Sequence, residues 1–273
     1  MKKLENTESL GTSFENIISL GFFCNVAGEL ETYGLRSASY PFDWIISSFE
    51  GVIQCMEDGF KDFLNIAYLS QSAIDRTHYK NSKYNCYFFH DFDKYKSLRK
   101  QLARVTKKYQ RRENRFFETI KSPTLFIRYI SDELKDENGK SMELTWIEQN
   151  MDKIEQTLRK FNPNNRIMFI ANEGVLSDTI TIHNIAPDEN DVVARKWVSK
   201  NEYLLNYFST FDYPEKEANL LRLQQKDKKN RNIVRRAYKK FARIYKETFL
   251  KEYIHEIQYD IPDNMVAPQA TNS

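Results

Sequence analysis

The sequence predicts an α/β protein with a single core, in which a mostly parallel sheet is flanked by helices and followed by a C-terminal basic helical segment. Three observations point there. The run NIISL (16–20) is short, apolar and stopped by Gly21, after which a helical stretch begins. Two apolar runs of strand length, TLFIRYI (124–130) and NRIMFIAN (165–172), enclose the amphipathic LTWIEQNMDKIEQTLRKF (144–161). This strand, helix, strand order takes a right-handed crossover and makes its two strands parallel. Finally, from Glu217 to Tyr259 the chain is almost continuously compatible with helix.

Taken in order, the strand at 16–20 turns at Gly21 into a helix over NVAGELETY (25–33), which Gly34 closes. LRSASYPFDW (35–44) reads as a loop, because Pro41 moves Tyr40 away from the α region and the serines favour turns. Ser47 or Ser48 then caps a helix through GVIQCMEDGFKDFL (51–64). NCYFFHDF (85–92) is an aromatic strand ending in His90 and Asp91, and a charged helix follows from Tyr95 to about Lys121. DTITIHNI (178–185) alternates as a last strand and carries His183. The division expected is an α/β domain over 1–216 and a basic helical tail over 217–273.

Composition bounds the function. Of 273 residues, 41 are basic and 38 acidic, so the net charge of +3 does not describe a nucleic-acid binder. Only eight glycines are present, which argues against phosphate-cradling glycine loops. The 19 Phe and 16 Tyr are expected to fill much of the core. Cys24, Cys55 and Cys86 are odd in number and widely spaced, which fits neither a disulfide framework nor a cysteine zinc site; no metal is expected. A reducing, cytoplasmic setting follows, consistent with the lack of a signal-type apolar run near the first lysines and of any stretch long enough to span a bilayer.

Cys24 has the most informative address. In an open α/β sheet functional groups gather at the carboxyl ends of the strands. A cysteine where a strand turns into a helix gains thiolate stability from the helix dipole and the first-turn amides, which also suit an oxyanion. The bland alternative is a small buried apolar residue, which is the reading for Cys55 and Cys86. A cysteine nucleophile needs a base, and His90 is the best placed of four histidines, with His183 its rival; His78 and His255 read as loop and tail residues. Asp91 faces away from His90 because neighbouring strand residues alternate, so the orienting carboxylate is sought in Asp43 or Asp132. Arg36 and Arg128 lie at element ends, where an exposed guanidinium grips a carboxylate or phosphate, or else forms a structural ion pair. Trp44 is a core residue or a substrate platform.

ISLGFFCNVAGELETYGLRSASYPFDWIISS, followed by FFHDF and TLFIRYI, resembles DUF1796, a bacterial family described as predicted papain-like cysteine peptidases. The resemblance spans about Ile17 to Asn172 and marks Cys24, Arg36, Ser39, Pro41, Phe42, Asp43, Trp44, His90 and Asp91. It implies a Cys24–His90 catalytic pair, with Arg36, Ser39 and Trp44 toward the substrate, to which the position of Arg128 at an element end adds a fourth candidate. The implied activity is cysteine-dependent acyl transfer, as hydrolase or acyltransferase, on a small-molecule, glycan or peptide substrate. Surface polysaccharide metabolism is one setting. No cofactor is needed, although acyl-CoA serves as donor if the reaction is a transfer. The alternatives are a carbohydrate or nucleotide-sugar binding protein, or a scaffold at the membrane periphery.

The tail supplies the reason for that last reading. Ile233, Ala237, Phe241, Ile244, Tyr245 and Phe249 recur at spacings of three and four, and lysines and arginines from Lys226 to Arg243 occupy the other face. Such a helix packs on the core with a solvated basic face, or lies over 217–259 on an anionic membrane surface.

Overall fold

The computed structural model describes residues 13–72, 78–93, 95–186, 196–230 and 257, with the side chains of 227–230 excepted. The first strand, β1 (Asn16–Ser19), is followed by α1 (Cys24–Thr32), a 3-10 turn at Pro41–Trp44, β2 (Ile45–Ser47) and α2 (Phe49–Glu57). Next come β3 (Leu69–Gln71), β4 (Tyr79–Asn81), β5 (Cys86–Phe88) and the long α3 (Leu98–Thr119). The second half contains β6 (Thr124–Tyr129), α4 (Met142–Gln149), α5 (Met151–Arg159), β7 (Arg166–Asn172), β8 (Ile182–Ile185), α6 (Glu202–Thr210) and α7 (Lys216–Asn230).

These strands make two sheets. The larger is parallel throughout, in the order β1-β6-β7-β8, and contains the β6–helix–β7 unit expected from the sequence. Every residue of β6 is buried, as befits a parallel strand covered on both faces. The smaller sheet, in the order β2-β5-β4-β3, is antiparallel and was not expected beyond its aromatic strand β5. Its four strands are three residues each, too short to display an alternating pattern.

Local chemistry explains the element ends. Ser48 Oγ accepts from Gly51 N at 3.1 Å and starts α2, as predicted. The helix stops at Glu57 rather than running to Leu64, because Gly59 and Phe60 both turn to positive φ. The amphipathic run 144–161 divides into α4 and α5 at Asn150, whose Nδ2 donates to Trp146 O. The Pro41–Trp44 turn is fixed by Asp43, whose Oδ2 accepts from Tyr40 N at 2.7 Å.

Both sheets share one apolar core. Phe63 stands at its aromatic centre, with ring centroids 5.2 Å from Phe60, 5.2 Å from Phe88 and 5.3 Å from Tyr109. The start of α7 docks on the core: Asn219 Nδ2 donates to Gly34 O at 3.0 Å, and Lys226 pairs with Glu31 at 3.0 Å. Gly34 has φ +72, and a Cβ there would lie 2.8 Å from Lys216 O, so only glycine permits this approach. The apolar and basic positions expected beyond residue 230, and His255, lie outside the described residues. Among the described residues no helix is long and apolar enough to cross a membrane.

Candidate functional site

The carboxyl edge of the parallel sheet is where Cys24 sits. Beyond β1 the ladder continues, with Leu20 N donating to Ile127 O and Tyr129 N to Gly21 O. Gly21 (φ +85) then swings the chain out; a Cβ there would stand 2.9 Å from Ser47 Oγ and 3.1 Å from an Arg128 nitrogen. Phe22 and Phe23 pack on Tyr129, with ring centroids at 6.4 and 5.1 Å, and so fix the start of α1. Cys24 is the first residue of that helix, one position earlier than the sequence suggests. The preceding Phe23 offers no side-chain cap.

The three cysteines differ in access. Cys24 is partly exposed, whereas Cys55 on α2 and Cys86 in β5 are buried. Burial pushes the Cys55 thiol well up and the Cys86 thiol up, since a thiolate in an apolar interior loses its solvation. Cys24 Sγ lies 3.7 Å from Asn25 Oδ1.

A second constellation forms around the Pro41–Trp44 turn. Arg36 donates from Nε and Nη2 to Asp43 Oδ2, at 3.2 and 2.6 Å, and from Nη2 to Ser39 Oγ at 2.9 Å. Ser39 Oγ also accepts from Trp44 Nε1 at 3.3 Å. The Arg36 guanidinium lies over the Trp44 indole, 5.1 Å from its centroid, and the His90 ring meets that indole edge-on at 6.5 Å. Four motif residues and the exposed His90 therefore form one connected set. Full burial of Asp43 pushes its carboxyl up, and the adjacent Arg36 pulls it back down.

Several sequence expectations change here. Asp43 does not orient His90: Oδ2 is taken by Arg36 and Tyr40, and Oδ1 has no hydrogen-bond partner among the described residues. Asp132 lies just beyond β6, where burial and then the Asp132 charge raise the Tyr129 phenol. Arg128 is not an exposed grip. Its guanidinium is wholly buried, paired with Glu143 at 2.6 Å and donating to Leu20 O, Ser47 Oγ and Ser47 O.

The histidines sort clearly. His183 stacks on Tyr203 at 4.8 Å, and burial lowers its pKa. It stands in β8, three strand spacings or roughly 14 Å from the line of β1. His78 is no loose loop residue: it is 5% exposed and stacked on Phe89 at 4.0 Å, next to His90. Asp91 turns inward to Tyr109 OH at 2.9 Å and to Lys108, but the aromatic strand stops at Phe88 rather than running on to His90 and Asp91, which lie in a bend beyond it.

β2 relates the two candidate groups. Phe22 O accepts from Ser47 N at one end of β2, while His90 meets Trp44 at the other. The segments carrying Cys24 and His90 are thus both tied to β2, at its opposite ends. Residues 35 to 44 and α1 pack together around the same turn. Among the described residues there is no cluster of three His, Cys, Asp or Glu suited to a metal ion.

The site thus combines a partly exposed cysteine opening a helix at the carboxyl edge of the parallel sheet with an exposed histidine just beyond β5 of the second sheet. The chain belongs to the family "Putative papain-like cysteine peptidase (DUF1796)", whose model matches residues 15–173. It is also similar to an uncharacterized protein of Acanthamoeba polyphaga mimivirus, with 30% identity over 139 residues, covering 43% of this chain and 61% of that protein. The chain thus spans less than two thirds of the length of this curated relative. No solved structure matches.

Proposed function

We propose that the protein is a cysteine-dependent acyl-transfer enzyme, a hydrolase or an acyltransferase, with Cys24 as its nucleophile. The observation that carries this reading is the contrast among the cysteines: Cys24 alone of the three is partly exposed, and it opens a helix on the sheet's carboxyl edge. The family description, a papain-like cysteine peptidase, supports a cysteine nucleophile without choosing among the three.

In the proposed reaction the Cys24 thiol gives its proton to His90 and the sulfur attacks an acyl carbonyl, with amides of the α1 first turn facing the oxyanion. His90 returns the proton to the leaving group as a thioester forms. Water, or an alcohol such as a sugar hydroxyl, then surrenders a proton to His90 and attacks the thioester, and the thiol is restored. Acyl-CoA is a fitting donor if the acceptor is an alcohol. Surface polysaccharide chemistry is the setting that this alcohol acceptor would suit. Trp44 acts as a positioning residue, setting the His90 ring through its edge, and the Arg36–Asp43–Ser39 set holds Trp44 in turn.

Proton transfer between the two groups needs hydrogen-bond contact or one bridging water. The test is the rate of labelling by iodoacetamide, mapped by peptide mass spectrometry across pH. Cys24 should react at least about tenfold faster than Cys55 or Cys86, as its access and first-turn position require. His90→Ala should slow that reaction and shift its pH midpoint upward. Equal labelling of the three cysteines in folded protein would remove the proposal; an unchanged profile in His90→Ala would remove His90 from it.

A further inference from the structure

A cleft with a volume of about 480 Å3 lies between the 31–39 segment and α3, on the side of the Arg36 platform facing away from the core. Its walls carry Arg36, Ser39, Lys108, Arg111, Arg112 and Arg115, with Glu31 the one acidic residue lining it. Two of the five cations are neutralised from behind, Arg36 by Asp43 and Lys108 by Asp91. The other three are arginines on one stretch of α3; none forms a salt bridge with a carboxylate among the described residues, although the Arg112 charge acts on the buried Asp43 behind it and helps hold that carboxyl down. Arg115 Nη1 donates to Ser39 O at 2.8 Å.

Arg112 is the decisive residue. It is only 9% exposed, lines the cleft, and its Nη1 is buried with no hydrogen-bond partner among the described residues. Its guanidinium lies over the Tyr109 ring at 5.1 Å, which fixes the plane of the fork. A concave wall with three guanidiniums that form no salt bridge among the described residues suits a group carrying more than one negative charge and several acceptor oxygens.

We infer that this cleft is a binding site for the phosphate of a small soluble phosphate ester or diphosphate, with Arg112 at its floor and Arg111 and Arg115 at its rim. A cavity of this size falls in the range that holds small ligands. Arginine forks match phosphate oxygens two at a time, which a point charge does not. The assignment is independent of the role given to Cys24, because none of these residues takes part in the proposed acyl chemistry. Arg36 is shared, so a ligand phosphate held here is separated from His90 by the Trp44 indole.

The test is calorimetric titration of the full chain with inorganic pyrophosphate at constant ionic strength, with sodium sulfate titrated as the control anion. Saturable binding is expected in the wild type. Arg112→Gln should weaken it about 10- to 100-fold, the loss expected for charge-assisted hydrogen bonds. Arg111 is exposed and makes no hydrogen bond to described residues, so the double variant R111Q/R115Q reports on the rim even where R112Q unsettles the fold. A several-fold loss in that double variant, with an unchanged circular dichroism spectrum, supports the site. Equal affinity in the wild type and both variants overturns it, and so does sulfate binding as tightly as pyrophosphate. Co-sedimentation with vesicles carrying a phosphoinositide, without any pyrophosphate binding, would assign the cations to a lipid surface and overturn it too.

Discussion

Two arginine–carboxylate pairs, Arg128 with Glu143 and Arg36 with Asp43, occupy two regions of the molecule and use the same fork differently. Arg128 lies in the seam between the sheets, with both members of its pair essentially unexposed. All three of its nitrogens are engaged, and they join β6 to the end of β1, to β2 and to α4. Arg36 is 7% exposed in its side chain, shares its donors between Asp43 and Ser39, and turns a face to Trp44 and an edge to the cleft. One pair closes on itself; the other has an inside and an outside. The lesson is that a motif arginine next to a motif carboxylate reports on function only after its outward contacts are known.

The comparison breaks most readily at Arg128. Replacing it by methionine keeps much of the volume but leaves Glu143 buried and unpaired, along with the carbonyls of Leu20 and Ser47. Removal of one partner from a buried pair costs about 3–5 kcal/mol. Urea unfolding of Arg128→Met should therefore show a loss of that size or no folded protein. The double variant R128M/E143L should recover a good part of it, since two apolar residues of similar volume replace the pair. A loss under about 1 kcal/mol in the single variant would mean that water reaches Glu143.

A smaller effect is expected at Asp43. Asp43→Asn retains an acceptor for Tyr40 N while removing the charge opposite Arg36, whose guanidinium still has Ser39 and, at 3.7 Å, Glu31. The expected loss is about 2 kcal/mol, below that of Arg128→Met because Arg36 is not stranded. The fluorescence of Trp44 should change with it, since the indole loses part of its fixed neighbour. A loss equal to that of Arg128→Met would erase the distinction between the two regions.

How much of this was legible follows from the length and regularity of each element. β1, β6 and β7 declared themselves because apolar runs between turn residues are long enough to read, and their parallel arrangement follows from handedness. The address of Cys24 came from Gly21 alone. The antiparallel sheet was hidden because strands of three residues have no measurable period, and its aromatic strand was visible only through its composition. Arg128 misled because a basic residue at a strand end reads as exposed, and its partner Glu143 comes fifteen positions later at the start of a separate helix. Arg112 was missed inside a helix whose charge suggested a solvated surface. The signal was present: Gln101, Val105, Tyr109, Arg112 and Phe116 form the buried stripe of α3 at spacings of three and four. A basic residue on an apolar stripe asks for an anion.

The neighbour of Arg112 supplies the subtlest effect. Glu113 turns toward the core side of α3, and burial raises its carboxyl to about 7. In the unfolded chain a glutamate titrates near 4.3. Between these values the native state holds a proton that the unfolded state has released, so stability falls as pH rises through about 4.5 to 7 and levels off above. The full shift would correspond to roughly 3 kcal/mol, but solvent reaches part of the side chain, and about 1–2 kcal/mol is the expected size. Glu113→Gln should therefore match the wild type near pH 4 and exceed it by that amount at pH 8, measured by chemical denaturation at both values. Two adjacent positions on one helix would then respond oppositely: neutralising Glu113 would strengthen the fold, while neutralising Arg112 would empty the cleft. Parallel pH curves for the wild type and Glu113→Gln would show instead that Glu113 titrates as a surface residue, and that the core side of α3 is wetter than its packing implies.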